Sequence, residues 1–368
     1  MFAHRANGLG LMLLLIGQSS GLAATRASDT SNSNGVEPDT TPMLIRDAAV
    51  RSELKLSAEQ AKTINLALRD ANRAVLALRD ADRRTADEGI RTAMQRLDKN
   101  LLQTLAPIQR NRFREITLHV LGAMALLRPD VAQALNLSEP QRQRLLALAR
   151  TATAPAKDVA ADAETQPSDV PASPRQRERD RRMYAVLTAE QKGAFSKLLG
   201  KPFDLSRVEL IGVDAPEFEN ASAWINGGPL TMADLRGQVV VVHFYTFGCG
   251  NCINNYRWYK GWQETFGGKG VTILGIHTPE SDGERDIDAV RRKAVKAGLT
   301  FPILVDNDKS NWLAWSNQVW PSVYLVDKLG HVRYWWYGEL NWKGAPGEQR
   351  MRHMIRKLLA EQPTPLLR

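Results

Sequence analysis

The chain has 368 residues, 43% of them hydrophobic and 24% charged, with a formal charge of +9 and two cysteines. That length exceeds what one hydrophobic core usually serves, so two domains are expected. Two cysteines exclude a disulfide-stapled scaffold. The basic residues are interleaved with acids, as in Arg69-Asp70 and Arg79-Asp80, the pattern of solvated helix faces and not of a nucleic-acid or membrane surface.

Residues 1–24 carry Arg5, continue as the apolar run Leu9 to Ile16 and close on Gly21-Leu22-Ala23-Ala24. This reads as a secretory signal peptide; its apolar core is short for a membrane span, and no cysteine follows it to carry a lipid. The expectation is an exported chain, periplasmic or secreted, with residues 25–42 as a linker.

Residues 43–204 are rich in Ala, Leu, Arg and Gln, with Ile64, Leu68, Val75 and Leu76 at helical spacing, which predicts an all-α domain. A short pattern recurs in it: Leu56-Ser-Ala-Glu-Gln60, Leu137-Ser-Glu-Pro-Gln141 and Leu187-Thr-Ala-Glu-Gln191, with a degenerate Leu105-Ala-Pro-Ile-Gln109. Each is a helix start: Ser57, Ser138 or Thr188 caps, and the glutamine three residues on returns the bond. Leu137 lies 81 positions after Leu56, and Leu187 lies 82 after Leu105, so the domain reads as one duplicated helical unit. Residues 151–174, rich in Ala, Pro, Asp and Ser, read as a disordered insertion.

Residues 208–368 have a different chemistry, and all nine tryptophans fall between Trp224 and Trp342. Val239 to Tyr245 reads as a buried strand, Ile253 to Phe266 as a helix and Val271 to Ile276 as a strand. Ile287 to Ala297 follows as a helix, Phe301 to Val305 as a strand and Asn311 to Asn317 as a short helix. Val323 to Asp327 and Val332 to Tyr337 flank the turn Lys328-Leu-Gly330 as a hairpin, and Glu348 to Glu361 closes as a helix. This order predicts an α/β fold with a mixed central sheet flanked by helices.

The two cysteines stand as Cys249-Gly-Asn-Cys252, directly after the first strand. There the helix N-terminus favours thiolate at Cys249, and Cys252 lies one turn in, placed to resolve a mixed disulfide. Structural zinc would need further ligands, and the histidines (4, 119, 243, 277, 331 and 353) show no close ligand spacing. A structural disulfide would close too short a loop to constrain the chain much.

The run His243-Phe-Tyr-Thr-Phe-Gly-Cys249-Gly-Asn-Cys252 occurs with Gly275-Ile-His-Thr-Pro-Glu280, Phe301-Pro-Ile-Leu-Val-Asp-Asn307 and Trp320-Pro-Ser-Val-Tyr-Leu-Val-Asp327. Together these resemble the thioredoxin superfamily, in its TlpA and redoxin branch and especially the thioredoxin-like domain of DipZ-type proteins, over residues 213–361. The resemblance implies an exported thiol-disulfide oxidoreductase with Cys249 attacking and Cys252 resolving, and no cofactor beyond its redox-active disulfide. It matches Pro321 to the family's cis-proline, which would turn the Trp320 backbone toward a client chain; an ordinary proline at a strand start is the alternative. Where many thioredoxins carry a buried acid, this chain has His243, either a proton acceptor for Cys252 or a core histidine. Arg257 replaces a helix-kinking proline. The implied partners are a disulfide-containing client protein and a separate membrane electron donor of the CcdA or DsbD kind, with the oligomeric state left open.

Two other functions compete. Redoxin relatives include thiol peroxidases with Pro-x-x-x-Thr-x-x-Cys; Thr246 fits that pattern, but Val242 stands at its proline. The helical repeats resemble the Leu-Thr-x-x-Gln motif of Spy and CpxP proteins, which implies a chaperone or stress-sensing module carrying an attached thioredoxin domain.

Overall fold

Each glutamine of the recurring pattern closes a helix cap and also pairs with a second glutamine. In the computed structural model, which describes residues 38–150, 174–205, 208 and 212–361, Ser57 and Thr188 form full capping boxes with Gln60 and Gln191. At the degenerate copy only the Gln109 half exists, accepting from the Ala106 amide at 2.8 Å, because alanine has no side-chain acceptor. Gln60 and Gln109 exchange amide hydrogen bonds at 2.7 and 3.1 Å. Gln141 and Gln191 repeat this at 2.8 and 3.2 Å. The expected signal peptide, residues 25–37 of the linker and residues 151–173 of the insertion lie outside the described residues.

Each pair lies within one of two four-helix units. The first holds α1 (Ala48–Leu54), α2 (Ala58–Ala77), α3 (Arg83–Thr104) and α4 (Pro107–Leu121). After a 3-10 segment come α5 (Pro129–Ala134), α6 (Glu139–Arg150), α7 (Pro174–Ala185) and α8 (Ala189–Leu199), in the same order. The second unit packs a small core of its own around Leu126, Leu145, Met183 and Phe195.

The C-terminal half is a six-stranded sheet in the order β1-β4-β3-β2-β5-β6. Its strands are β1 (Ala223–Ile225), β2 (Val239–Tyr245), β3 (Val271–His277), β4 (Ile303–Val305), β5 (Ser322–Val326) and β6 (Val332–Tyr337). β2, β3 and β4 run parallel and the other pairings are antiparallel. β2 is buried along its whole length, as its run of β-branched residues predicts for a central strand. Strand alternation sends Val239, Val241 and Tyr245 to one face, under α9 (Gly250–Phe266), α10 (Ile287–Ala297) and α12 (Gly347–Ala360). Val240, Val242 and Phe244 face the other way.

That second face shows where composition misleads. Beyond the short α11 (Ser310–Ala314), its core runs without a break into the first helical unit: Phe244, Ile276, Tyr324 and Trp335 belong to one buried cluster with Met43, Leu68, Val75 and Leu97. The change in residue chemistry near residue 204 is not a break in the core. Among the described residues no helix is long and apolar enough to cross a membrane.

Candidate active site

The dithiol sits where β2 ends and α9 begins. Cys249 is the N-cap of α9, and its sulfur accepts from the Cys252 amide at 3.4 Å. Both cysteines are free thiols, Cys249 partly exposed and Cys252 fully buried. Burial, and then the hydrogen bond with Cys249, push the Cys252 thiol well above its ordinary range, against a smaller downward pull from the Thr246 backbone. One sulfur is thus partly exposed and the other lies buried behind it.

The Trp320–Pro321 peptide bond is cis. In the antiparallel ladder Ser322 lies opposite Phe244, so Pro321 falls level with Tyr245, at the end of β2 that leads to Cys249. The Trp320 ring is half-buried, stacked on Trp312 at 3.9 Å between centroids, and its indole N–H donates to the Thr278 carbonyl at 3.2 Å. Trp315, Trp335 and Trp336 are core residues, each at most 2% exposed. Of this aromatic group, Trp320 is the half-buried member.

His243 is corrected from candidate proton acceptor to core ring. It is fully buried, stacked on Tyr259 at 4.0 Å and edge-on to Phe301 at 5.2 Å. Neither ring nitrogen has a partner, and burial drives its pKa down to about 3, too weak a base for a thiol proton. His277 is driven to about 4 by burial, opposed in part by the Glu284 carboxylate.

These two rings make a pH prediction. Unfolded imidazoles titrate near 6.5, so acidification adds protons to the unfolded chain before the folded one. The stability of the neutral rings is complete above about pH 6.5 and is lost as pH falls toward the folded values. Between pH 7 and pH 5 each ring is expected to cost about 2 kcal/mol. Urea unfolding at the two pH values checks this, and His243→Phe should remove its own share.

Glu284 is the residue that sequence reading missed. Its carboxylate accepts from the Gly248 amide at 2.9 Å and from the Glu280 and Ser281 amides at 2.7 and 3.1 Å. It also bonds the Thr246 hydroxyl, and these hydrogen bonds outweigh burial and hold its pKa low. One buried carboxylate therefore pins the residues on either side of Phe247, just ahead of Cys249. The signal was the capping-box spacing Ser281-x-x-Glu284. Among the described residues no cluster of His, Cys, Asp or Glu could hold a metal ion.

Residues 211–335 match the family model described as the AhpC/TSA family. The protein DipZ of Mycobacterium bovis is 33% identical over 128 residues, 34% of this chain and 18% of that protein. The C-terminal half is similar to proteins of the redoxin branch of the thioredoxin superfamily. The thiol-disulfide oxidoreductase YkuV of Bacillus subtilis is 25% identical over 40% of this chain and 94% of its own length. A solved thioredoxin-like superfamily protein, SPOA0173, superposes with a TM-score of 0.37 at 25% identity, covering 41% of this chain and 98% of its own. The match to DipZ spans under a fifth of that relative. In the C-terminal half α9 runs unbroken from Gly250 to Phe266, with Arg257 stacked over Trp258 where a kinking proline was missing.

Proposed function

We propose that the protein is an exported thiol-disulfide oxidoreductase that reduces disulfides of client proteins. The observation that carries this reading is the unequal pair, a partly exposed Cys249 at a helix N-cap backed by a buried Cys252. The Cys249 thiolate attacks one client sulfur, forming a mixed disulfide and releasing the other client sulfur as thiolate. Cys252 then attacks the Cys249 sulfur, its proton passing to the departing client sulfur, which frees the client's second thiol and leaves the Cys249–Cys252 disulfide. Two electrons pass to the client, and a separate membrane electron donor must restore the dithiol. The cis-Pro321 loop would hold the client strand through the Trp320 backbone. The names of YkuV and of the ResA protein of Bacillus subtilis, both thiol-disulfide oxidoreductases, support the same chemistry.

The peroxidase alternative is disfavoured by Thr246. It is fully buried, with its hydroxyl committed to Glu284 and 3.5 Å from His277 Nε2, so it does not present itself to a peroxide at Cys249. The test is turnover: reduced protein should cleave the interchain disulfides of insulin at one per dithiol, and catalytically with dithiothreitol present. No reduction of insulin, together with consumption of hydrogen peroxide, would overturn the reading in favour of a peroxidase.

A further inference from the structure

Arg79, just beyond α2 in the first helical unit, is 4% exposed although it carries a charge. Every nitrogen of its guanidinium is engaged, and most of the partners lie in the thioredoxin-like half. Nε donates to the Tyr337 hydroxyl, and NH2 donates to the Ser316 carbonyl at 2.7 Å and the Tyr324 hydroxyl at 3.1 Å. NH1 donates to the Leu76 carbonyl in the last turn of α2 at 2.8 Å. The neighbouring Asp80 accepts from the Tyr337 hydroxyl at 2.7 Å and from the Trp335 indole at 3.2 Å. A buried guanidinium is tolerated only when its donors are matched, and here the matching groups belong to one local structure.

That structure is the frame of the cis-proline loop. Ser316 opens the segment that leads to Trp320 and Pro321. Tyr324 lies on β5 directly after it and donates to Asn317 at 2.6 Å. Tyr337 pairs with Ser322 across the ladder. The next residue, Gly338, donates its amide to the Pro321 carbonyl at 2.8 Å and accepts at its own carbonyl from Asn255 at 3.1 Å. Asn255 is fully buried on α9, three residues beyond Cys252. Gly338 stands at φ +76°, a left-handed conformation that glycine adopts without strain. One path of hydrogen bonds and adjacent residues thus joins Arg79 to the cis-proline carbonyl and to the helix that carries the dithiol.

We propose that Arg79 is a positioning residue for the redox site: supplied by the helical half, it fixes the loop that presents the Trp320–Pro321 backbone to a client disulfide at Cys249. The inference rests on the oxidoreductase reading. It gives the first helical unit a place in the reaction through geometry, with no contact to the client. Lysine cannot replace the planar fork, because a single ammonium cannot reach all four acceptors.

The experiment compares full-length wild type, Arg79→Ala, Arg79→Lys and Arg69→Ala. Arg69 pairs with Glu219 across the same two halves, but in a solvent-exposed contact. Two rates are read per folded, titratable Cys249 thiol: kcat/KM for insulin reduction, which needs the cis-proline loop, and alkylation by iodoacetamide, which does not. Both Arg79 variants should lose about tenfold or more in kcat/KM, with alkylation within twofold of wild type and Arg69→Ala unchanged in both. Wild-type kcat/KM in Arg79→Lys, an equal loss in Arg69→Ala, or alkylation slowed by the same factor as turnover would each overturn the proposal. If Arg79→Ala fails to fold, Arg79→Lys alone decides. A wild-type protein that reduces no insulin would instead overturn the oxidoreductase reading on which the proposal stands.

Discussion

Cys249→Ser is expected to abolish disulfide reduction, lowering turnover by about 10³-fold or more, since the one thiol left, Cys252, is buried. Cys252→Ser should behave differently. Its Cys249 can still attack once, but the buried resolving sulfur is gone, so the client stays joined to the protein. Non-reducing electrophoresis after incubation with oxidised insulin checks this: a covalent adduct should accumulate with Cys252→Ser and none with Cys249→Ser. An adduct that forms with Cys249→Ser would reverse the assigned roles. The asymmetry follows from burial, because a thiol pushed up by desolvation is a poor first nucleophile in bulk solvent.

Residues 208–361 expressed without the helical half are expected to be far less stable than the same residues in the full chain. Trp335 is 2% exposed in a core shared with α2 and α3, and Arg79 and Asp80 hold Tyr324, Tyr337 and Trp335. Re-exposing two large apolar side chains costs about 1.5–3 kcal/mol each. A loss of roughly 5 kcal/mol would consume much of the ~5–15 kcal/mol that keeps a domain folded. Urea unfolding of the two proteins, followed by tryptophan fluorescence, checks this. The isolated half should unfold at a much lower midpoint, and an equal midpoint would show that the helical layer contributes nothing.

The sheet and the dithiol were legible in the sequence because their signals are local. β2 is one uninterrupted apolar run, and two cysteines three positions apart after it leave few chemistries open. The helix starts were legible for the same reason, since a cap and its answering glutamine are three residues apart. What those glutamines do next was not, because Gln60 and Gln109 meet across 49 positions. β1 went unseen because three residues, two half-buried and one buried, are too few to show a period. His243 was readable as base or core, and only its neighbours Tyr259 and Phe301 decided between them. The Arg79 clamp lay furthest from view. Arg79-Asp80 looks like any solvated pair on a helical stretch, and its partner Tyr337 stands 258 positions away.

The central claim is that Cys249 and Cys252 form a reversible dithiol–disulfide couple. Its most direct test is to equilibrate the purified protein in glutathione and dithiothreitol buffers of graded potential, quench, alkylate and count free thiols by mass. One two-electron transition is expected, in which both thiols disappear together, at a reductase-like potential near or below ~−270 mV. A transition near ~−120 mV would make the protein a disulfide donor and reverse the proposed direction of electron flow. Failure of the two thiols to disappear as a pair at any potential would contradict the oxidoreductase account itself.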